Sequence, residues 1–391
     1  MARPATRRLE IARAVRAFAD GFASILLARY LQDLGFNAFQ IGVIVTATLL
    51  GSAALTLWAG LRFARLGARS VLLASCGLMA FTGLGFSAVT RFVPLVIVGF
   101  IGTLNPSGGD VSLFLPMEQS VLADLTDEAE RPHRFAVYNL GAALAVAAGA
   151  LASSLPHRIA VAQHWDVVTV ERRSFLIYVL TAAVAALIYR GLRNTTPAGG
   201  HRRALHKSRK IVFRLSALFS LDAAGGGFAV NTLLVLYLDL RFGLSPGVIG
   251  ATLAATGVLG AFSQLVAARI ARRIGLVRTM VFTHLPANVF LILAGIVPTA
   301  PLAVTLLLMR SALSSMDIPA RQALVMRLVD PDERAAAASV TAVPRSLATA
   351  LTPALAGLLL DKTSFGWPLI IGGTMKVAYD ILLLRQPLDR D

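Results

Sequence analysis

Long apolar runs alternate with short polar connections along the whole chain. A helix that crosses a bilayer needs about 20 mostly apolar residues. Twelve stretches meet that need, numbered here as spans 1 to 12: 14–36, 39–60, 70–90, 92–118, 134–155, 174–192, 213–240, 246–268, 279–297, 301–320, 335–360 and 367–385. Pro and Gly recur inside them, which a bundle tolerates because neighbouring groups satisfy the freed backbone. Span 1 is the most charged, and span 6 is short. A polar stretch, NTTPAGGHRRALHKSRK with its neighbours, divides the spans six and six. The pattern therefore predicts an N-terminal bundle over 1–192, a basic linker over 193–211 and a C-terminal bundle over 212–391.

Composition points the same way. Of 391 residues, 56% are apolar and 15% charged, with a mean hydropathy of +0.70, against about 25% charged in an ordinary soluble domain. No soluble fold of this size has an interior that could hide so many apolar side chains. The net charge of +16 invites a nucleic-acid reading, but that requires a basic folded surface with aromatics among the cations. Here the cations sit in short loops, which excludes nucleic acid as a partner. Cys76, the single cysteine, lies in an apolar run and rules out a disulfide framework or a Cys-based zinc site. The six histidines include no HExxH, and His201 and His206 have no carboxylate partner in their loop, so neither metal nor cofactor is expected. The start, MARPATRRLEIARAVRAF, has no small-residue cleavage site after a short apolar core and reads as an uncleaved lead into span 1.

Basic residues near span ends set orientation. The terminal segments and even-to-odd loops hold 27 of the 37 Lys and Arg, and the opposite loops hold seven. Both termini are therefore expected in the cytoplasm, with the chain integral to the cell (plasma or inner) membrane. The other three, Arg310, Arg345 and Lys376, lie inside spans.

The two halves repeat one another. A shift of 203 residues superposes PMEQSVLADLTDEAER (116–131) on PARQALVMRLVDPDER (319–334), with Pro116/Pro319, Gln119/Gln322, Asp127/Asp330, Glu130/Glu333 and Arg131/Arg334 coincident. Earlier in each half the shift is 206–208: Gly21-Phe22 falls on Gly227-Phe228, Ile41-Gly42 on Ile249-Gly250, and Arg65-Leu-Gly67 on Arg273-Ile-Gly275. Parallel repeats about an axis along the membrane normal characterise one large class of secondary transporters.

At these residues the chain resembles the major facilitator superfamily. GLRFARLGARS (60–70) is similar to that family's loop between helices 2 and 3, with Gly60, Arg65, Gly67 and Arg69 in place and Ala64 where the family has Asp. GAALAVAAGALAS in span 5 and RSLATALTPALAG in span 11 resemble its Gly/Pro-rich helix 5 element, with Pro353 kept and Ala150 replacing the first Pro. The resemblance implies an all-α fold of twelve transmembrane helices in two pseudo-symmetric six-helix bundles. It also implies that spans 1, 4, 7 and 10 line a central cavity.

An ion at the bilayer centre costs at least about 2.5–3.5 kcal/mol, so those that survive pair or line a wet path. Asp20 in span 1, Asp110 in span 4, Asp222 in span 7, and Arg310 and Asp317 in span 10 all fall on the implied cavity helices, and Arg345 lies in span 11. These six are the candidate substrate or proton path. Asp110 follows GTLNPSGG (102–109), and Asp222 precedes Gly225-Gly226-Gly227; both are segments that favour a helix break. Arg310 and Asp317, seven apart, are expected on one face, and a mid-membrane Arg suits an anionic or carbonyl-bearing solute. Lys376 and Asp380, four apart, are expected to neutralise each other, and His284 to be a hydrogen-bonded structural residue. Gly141, Ala145 and Gly149 form a small-residue face for close helix contact.

The 203-residue shift also exposes two sign reversals, Glu118 against Arg321 and Asp124 against Arg327. They suggest a cytoplasmic gate in which each pair bridges the halves when that side closes. The functional expectation is a monomeric secondary transporter that moves a small organic solute by alternating access. Proton coupling is expected, with sodium at the 105–110 break as the lesser option. No GxxxxGK[ST] is present for ATP, and Cys76, Ser112 and the span histidine show no nucleophile–base spacing, so no enzyme is expected. A non-transporting sensor or assembly factor on the same fold is the other reading. The polar loop 156–172 has no counterpart in these motifs.

Overall fold

The computed structural model describes residues 2–107, 114–127, 130–192, 206–330 and 333–386. All regular structure among them is helical. The first half comprises α1 (Ala2–Asp33), α2 (Ala38–Leu66), α3 (Ala68–Ala88), α4 (Phe92–Ile101), α5 (Phe114–Asp124), α6 (Arg131–Ala152), α7 (Leu155–Ala162), α8 (Val167–Ser174) and α9 (Leu176–Arg190). The second comprises α10 (Arg209–Gly227), α11 (Asn231–Phe242), α12 (Pro246–Ile274), α13 (Leu276–Ile296), α14 (Ala300–Ser314), α15 (Asp317–Leu328), α16 (Arg334–Lys362) and α17 (Trp367–Leu384). Spans 4, 7 and 10 are each two helices in succession: α4 with α5, α10 with α11, and α14 with α15.

Among the described residues, ten helical stretches are long and apolar enough to cross a membrane. Span 1 is not among the ten, and span 4 contributes only the short apolar helix Phe92–Ile101. Span 1 misses because of its charges, yet α1 is a continuous helix from Ala2, well ahead of the expected start at 14. Its charges do not disrupt it because Arg13, Arg16 and Asp20 are buried against other helices. The loop 156–172 forms α7 and α8, joined by a turn in which Asp166 Oδ2 caps α8 by accepting from Thr169 N at 2.8 Å.

Glycine sets how near the helices approach. A Cβ on Gly149 would lie 2.0 Å from the Phe18 carbonyl oxygen, and one on Gly21 2.1 Å from that of Val146, so α1 and α6 are in backbone contact. Gly149 thus serves the close contact expected of it. Gly141 does not: a Cβ there meets nothing within 4 Å. The repeat-related Gly67 and Gly275, at φ 73° and 88°, precede α3 and α13 in a conformation that side chains avoid. That accounts for glycine in both copies of the Arg-x-Gly match.

The halves touch through α2 with α16, α6 with α12, and α1 with α11. These contacts gather toward the side opposite the termini. A Cβ on Gly42 would meet the Pro353 carbonyl at 2.5 Å, and one on Gly250 the Ala150 carbonyl at 2.8 Å. Gln32 Nε2 donates to Asp239 Oδ2 at 2.9 Å, joining the far ends of α1 and α11. On the terminal side, α5 packs on α1, α3 and α6, while α15 packs on α12, α13 and α16, each within its own half. The molecule is closed away from its termini.

Of the linker, only 206–211 lies among the described residues. There Glu333, ahead of α16, accepts the backbone N–H groups of His206, Lys207 and Ser208 at 2.8, 3.0 and 2.9 Å. These bonds favour the anion and hold its carboxyl at about 2, below its ordinary 4.5. The stabilisation is complete above about pH 4.5 and is lost as pH falls toward 2.

Two outcomes follow. In detergent, thermal stability of the parent over Glu333→Gln should be constant near neutrality and shrink between pH 4.5 and about 2. Gly149→Leu should lower stability by roughly 1–3 kcal/mol through overpacking, whereas Gly141→Leu should leave the unfolding temperature unchanged.

Candidate functional site

Each half buries one ionic cluster at the same place. In the first, Arg16 of α1 pairs with Glu118 of α5, with side chains 1% and 0% exposed. Tyr138 Oη of α6 donates to Glu118 Oε2 at 2.6 Å, Tyr189 Oη of α9 donates to Oε1, and Arg16 Nε donates to Tyr189 Oη at 3.0 Å. The Phe114 ring lies 3.8 Å from the Arg16 guanidinium carbon, and Arg13 stands over Tyr138. Four helices thus converge on one carboxylate, and its charge is fully spent.

In the second half, Asp222 of α10 accepts from Lys376 Nζ of α17 at 2.6 Å and from Arg321 Nη1 of α15 at 3.4 Å. Arg321 also donates to Asp317 at 2.9 Å. His284 of α13 places Nε2 3.6 Å from Asp222 and Nδ1 2.9 Å from Asp380. Asn288 Nδ2 donates to the other oxygen of Asp380 at 2.9 Å. Three carboxylates therefore face one lysine, one arginine and one histidine.

This arrangement corrects two expectations. Lys376 and Asp380 do not neutralise each other: Lys376 turns to Asp222, and Asp380 to His284 and Asn288. The cross-helix partners offer shorter geometry than the i,i+4 alternative. Arg310 and Asp317 do not share a helical face, because α14 ends at Ser314 and Asp317 opens α15. Asp317 instead meets Arg321 one turn on.

The clusters are related by the repeat with signs exchanged. The 206-residue shift that aligns Gly21-Phe22 with Gly227-Phe228 also places Arg16 on Asp222, and the 203-residue shift places Glu118 on Arg321. Arg–Glu in one half becomes Asp–Arg in the other. The reversal at 118 and 321 is thus balanced inside each half. Glu118 and Arg321 do not meet in this structure. Asp124, exposed on the last turn of α5, enters no ion pair among the described residues, and Arg327 is exposed on the last turn of α15.

Asp20, one turn beyond Arg16, differs from both clusters. Among the described residues its hydrogen bond comes from neutral Tyr178 Oη of α9, at 2.5 Å. Tyr178 also lies 3.4 Å from the Thr103 carbonyl, where span 4 leaves helical geometry after Ile101. Beyond that break the Pro106 carbonyl accepts from Thr232 N at 3.3 Å and Oγ1 at 3.2 Å, at the start of α11. Thr232 Oγ1 also donates to the Ser24 carbonyl at 2.8 Å. The interruptions of spans 4 and 7 therefore meet each other beside α1. Asp110 lies outside the described residues. Arg310 of α14 is half-buried, its Nε has no hydrogen-bond partner among the described residues, and it and half-buried Arg345 of α16 both add their charge to the field at Asp222.

Arg16, Tyr138, Tyr178 and Tyr189 were not anticipated as site residues. Only Arg16 had a signal, its match to Asp222; the tyrosines are apolar-run residues until helix contacts reveal them.

The Major Facilitator Superfamily pattern matches residues 9–308 and, again, 216–390. This chain belongs to the Major Facilitator Superfamily. An uncharacterized membrane protein of Saccharomyces cerevisiae is 23% identical over 415 residues, covering 94% of this chain and 91% of that protein. The quinolone resistance protein NorA of Staphylococcus aureus is 22% identical over 252 residues, covering 63% and 61%. A crystal structure of the nucleoside transporter NupG superposes with a TM-score of 0.78 at 13% identity, covering 99% of this chain and all of that one. The inward open xylose transporter XylE from E. coli gives 0.74 at 12% identity, covering 97% and 96%. These superpositions bear on the fold, which is the twelve-helix fold of the superfamily's transporters, integral to a membrane and multi-pass.

Breaking a buried ion pair at one end leaves an uncompensated charge, at about 3–5 kcal/mol. Arg16→Met should therefore collapse thermal stability in detergent, and Arg16→Met with Glu118→Met should recover much of the loss. The coupling in that double-mutant cycle is the measurement.

Proposed function

We propose that the protein is a proton-coupled secondary transporter that carries a small organic solute by alternating access between its two halves, in the cell membrane and as a monomer. The termini face the cytoplasm on the positive-inside count, and the side closed by α2–α16 and α6–α12 faces outward. The residues assigned to the solute and proton path are Asp20, Asp222, Arg310, Asp317 and Arg345, together with Asp110, which is assigned from the sequence alone. The single observation that carries proton coupling is the difference between the buried acids. Asp222 is held by Lys376, Arg321 and His284 and has fixed charges to balance. Asp20 is bound by a neutral tyrosine and can take or release a proton without breaking an ion pair.

Arg310 and Arg345 favour a solute with an anionic or carbonyl acceptor. The panel to test comes from the relatives: nucleosides after NupG, xylose after XylE, quinolones after the Staphylococcus aureus protein, with organic acids added for the arginines. Asp124–Arg327 stands as the bridge for the opposite state, in which the cytoplasmic ends of α5 and α15 would approach. Glu118–Arg321 would join it only by exchanging the partners each now holds inside its own half.

Proteoliposomes loaded with a pH dye report the coupling. A panel solute should move protons with it in the parent protein, in sodium-free buffer. Asp20→Asn should lose the proton signal while keeping solute exchange at equal pH. Proton movement per solute unchanged in Asp20→Asn removes Asp20 from the mechanism, and a requirement for sodium replaces the coupling ion.

A further inference from the structure

A second group of titratable side chains lies outside the seam, on the side opposite the termini. Asp33 ends α1, His157 lies on α7 and Glu171 on α8. Each offers one ligand atom, and the three atoms lie within 4.8 Å of one another. Glu171 is 1% exposed, yet neither of its oxygens has a hydrogen bond from a described residue by geometry; what it faces is the Asp33 carboxyl, a second acid that repels its anion. His157 Nδ1 is likewise buried without a hydrogen-bond partner among the described residues, 3.8 Å from Glu171 Oε1. The nearest protein cation, Arg29, halts with Nε 3.8 Å from the same oxygen, and its own Nε has no hydrogen-bond partner. Two carboxylates and an imidazole thus converge on a point that no donor among the described residues fills.

The other such group, Asp222, His284 and Asp317, sharpens the contrast. There Lys376 and Arg321 make hydrogen bonds to the carboxylates, so the fold supplies its own cations. At the outer group the nearest guanidinium makes none. A buried carboxylate without a hydrogen bond is costly, and a bound cation removes that cost.

We infer that Asp33, His157 and Glu171 form a site for a divalent transition-metal ion, zinc being the best match. A borderline imidazole nitrogen beside two harder carboxylate oxygens is a donor set that zinc takes at about 2.0–2.2 Å, with water completing a tetrahedron; the imidazole is what favours a transition metal over magnesium or calcium. Tetrahedral bonds of that length set the donor atoms about 3.4 Å apart, so the three side chains close inward by an ångström or so, a change within reach of rotamer adjustment. The ion ties α7 and α8, the outer excursion of the first half, to the last residue of α1. Gln32, the residue before Asp33, carries the bond to Asp239 that joins the far ends of the halves. Metal occupancy therefore fixes the end of α1 where the closed side is held.

The test uses the full chain in detergent, purified without a His tag and stripped with chelator. Zinc should bind at one ion per chain by elemental analysis and raise the unfolding temperature, and cobalt in its place should give visible d–d absorption. His157→Gln and Glu171→Gln, each removing a direct ligand, should weaken zinc binding by at least the roughly 10–100-fold that loss of a ligand's outer hydrogen-bond partner costs, while His164→Gln on the exposed turn nearby should not change it. His157→Gln, at a half-buried position, carries the comparison should Glu171→Gln fail to fold. No stoichiometric zinc in the parent, undiminished binding in His157→Gln, or binding lost only in Asp317→Asn would each overturn the site.

Discussion

An ion cannot be left unpaired in oil, and that constraint governs this molecule more than any other. A charged side chain at mid-membrane is tolerated only where the fold brings it a partner. Arg16 and Glu118 in one half, and Asp222, Lys376, Arg321 and Asp317 in the other, meet the demand by drawing several helices onto one point. Each cluster therefore ties together helices whose apolar surfaces, shared with lipid tails, offer little force of their own for association.

Duplication explains the form these clusters take. Both halves need an ion pair between their first and fourth spans, and nothing in that need specifies which helix supplies the cation. The two copies have taken opposite choices, Arg–Glu and Asp–Arg, at repeat-related positions. A lone reversal would be disruptive. A double one preserves the pair, as is seen here. The second copy adds Lys376, His284 and Asp380, so its carboxylates outnumber its fixed cations, while the first sets Asp20 apart on a tyrosine. The asymmetry between the halves is where their chemistry diverges.

Close backbone contact supplies the rest of the cohesion. Where Gly21 and Gly149 bring α1 onto α6, and Gly42 and Gly357 bring α2 onto α16, a single added carbon would collide with a carbonyl. Such contacts maximise dispersion between helices that gain little from excluding water. Those between the halves lie away from the termini, and the ionic clusters lie inside each half, so the seam can open on one side without breaking either cluster.

Run length and repetition are properties of the chain alone, and both were readable without coordinates. The apolar stretches located the starts of spans 2 to 12 to within a few residues, though α2, α5, α12 and α15 run six to eight residues past the expected ends because their last turns are polar. The matched segments exposed the twofold organisation, and Gly225-Gly226-Gly227 and GTLNPSGG marked breaks that α10 and α4 do observe. The break in span 10 escaped, because no Gly or Pro marks residues 315–316. The helical start of α1 at Ala2 escaped as well, since its charges look solvated until Arg13, Arg16 and Asp20 are found buried. Partner choice lay wholly in the tertiary structure: Lys376 pairs with Asp222 rather than Asp380, and Glu118 with Arg16 rather than Arg321. Sequence spacing specifies which side chains share a helical face, but electrostatic pairing depends on which faces are turned together, and that is decided by helix crossing and rotation.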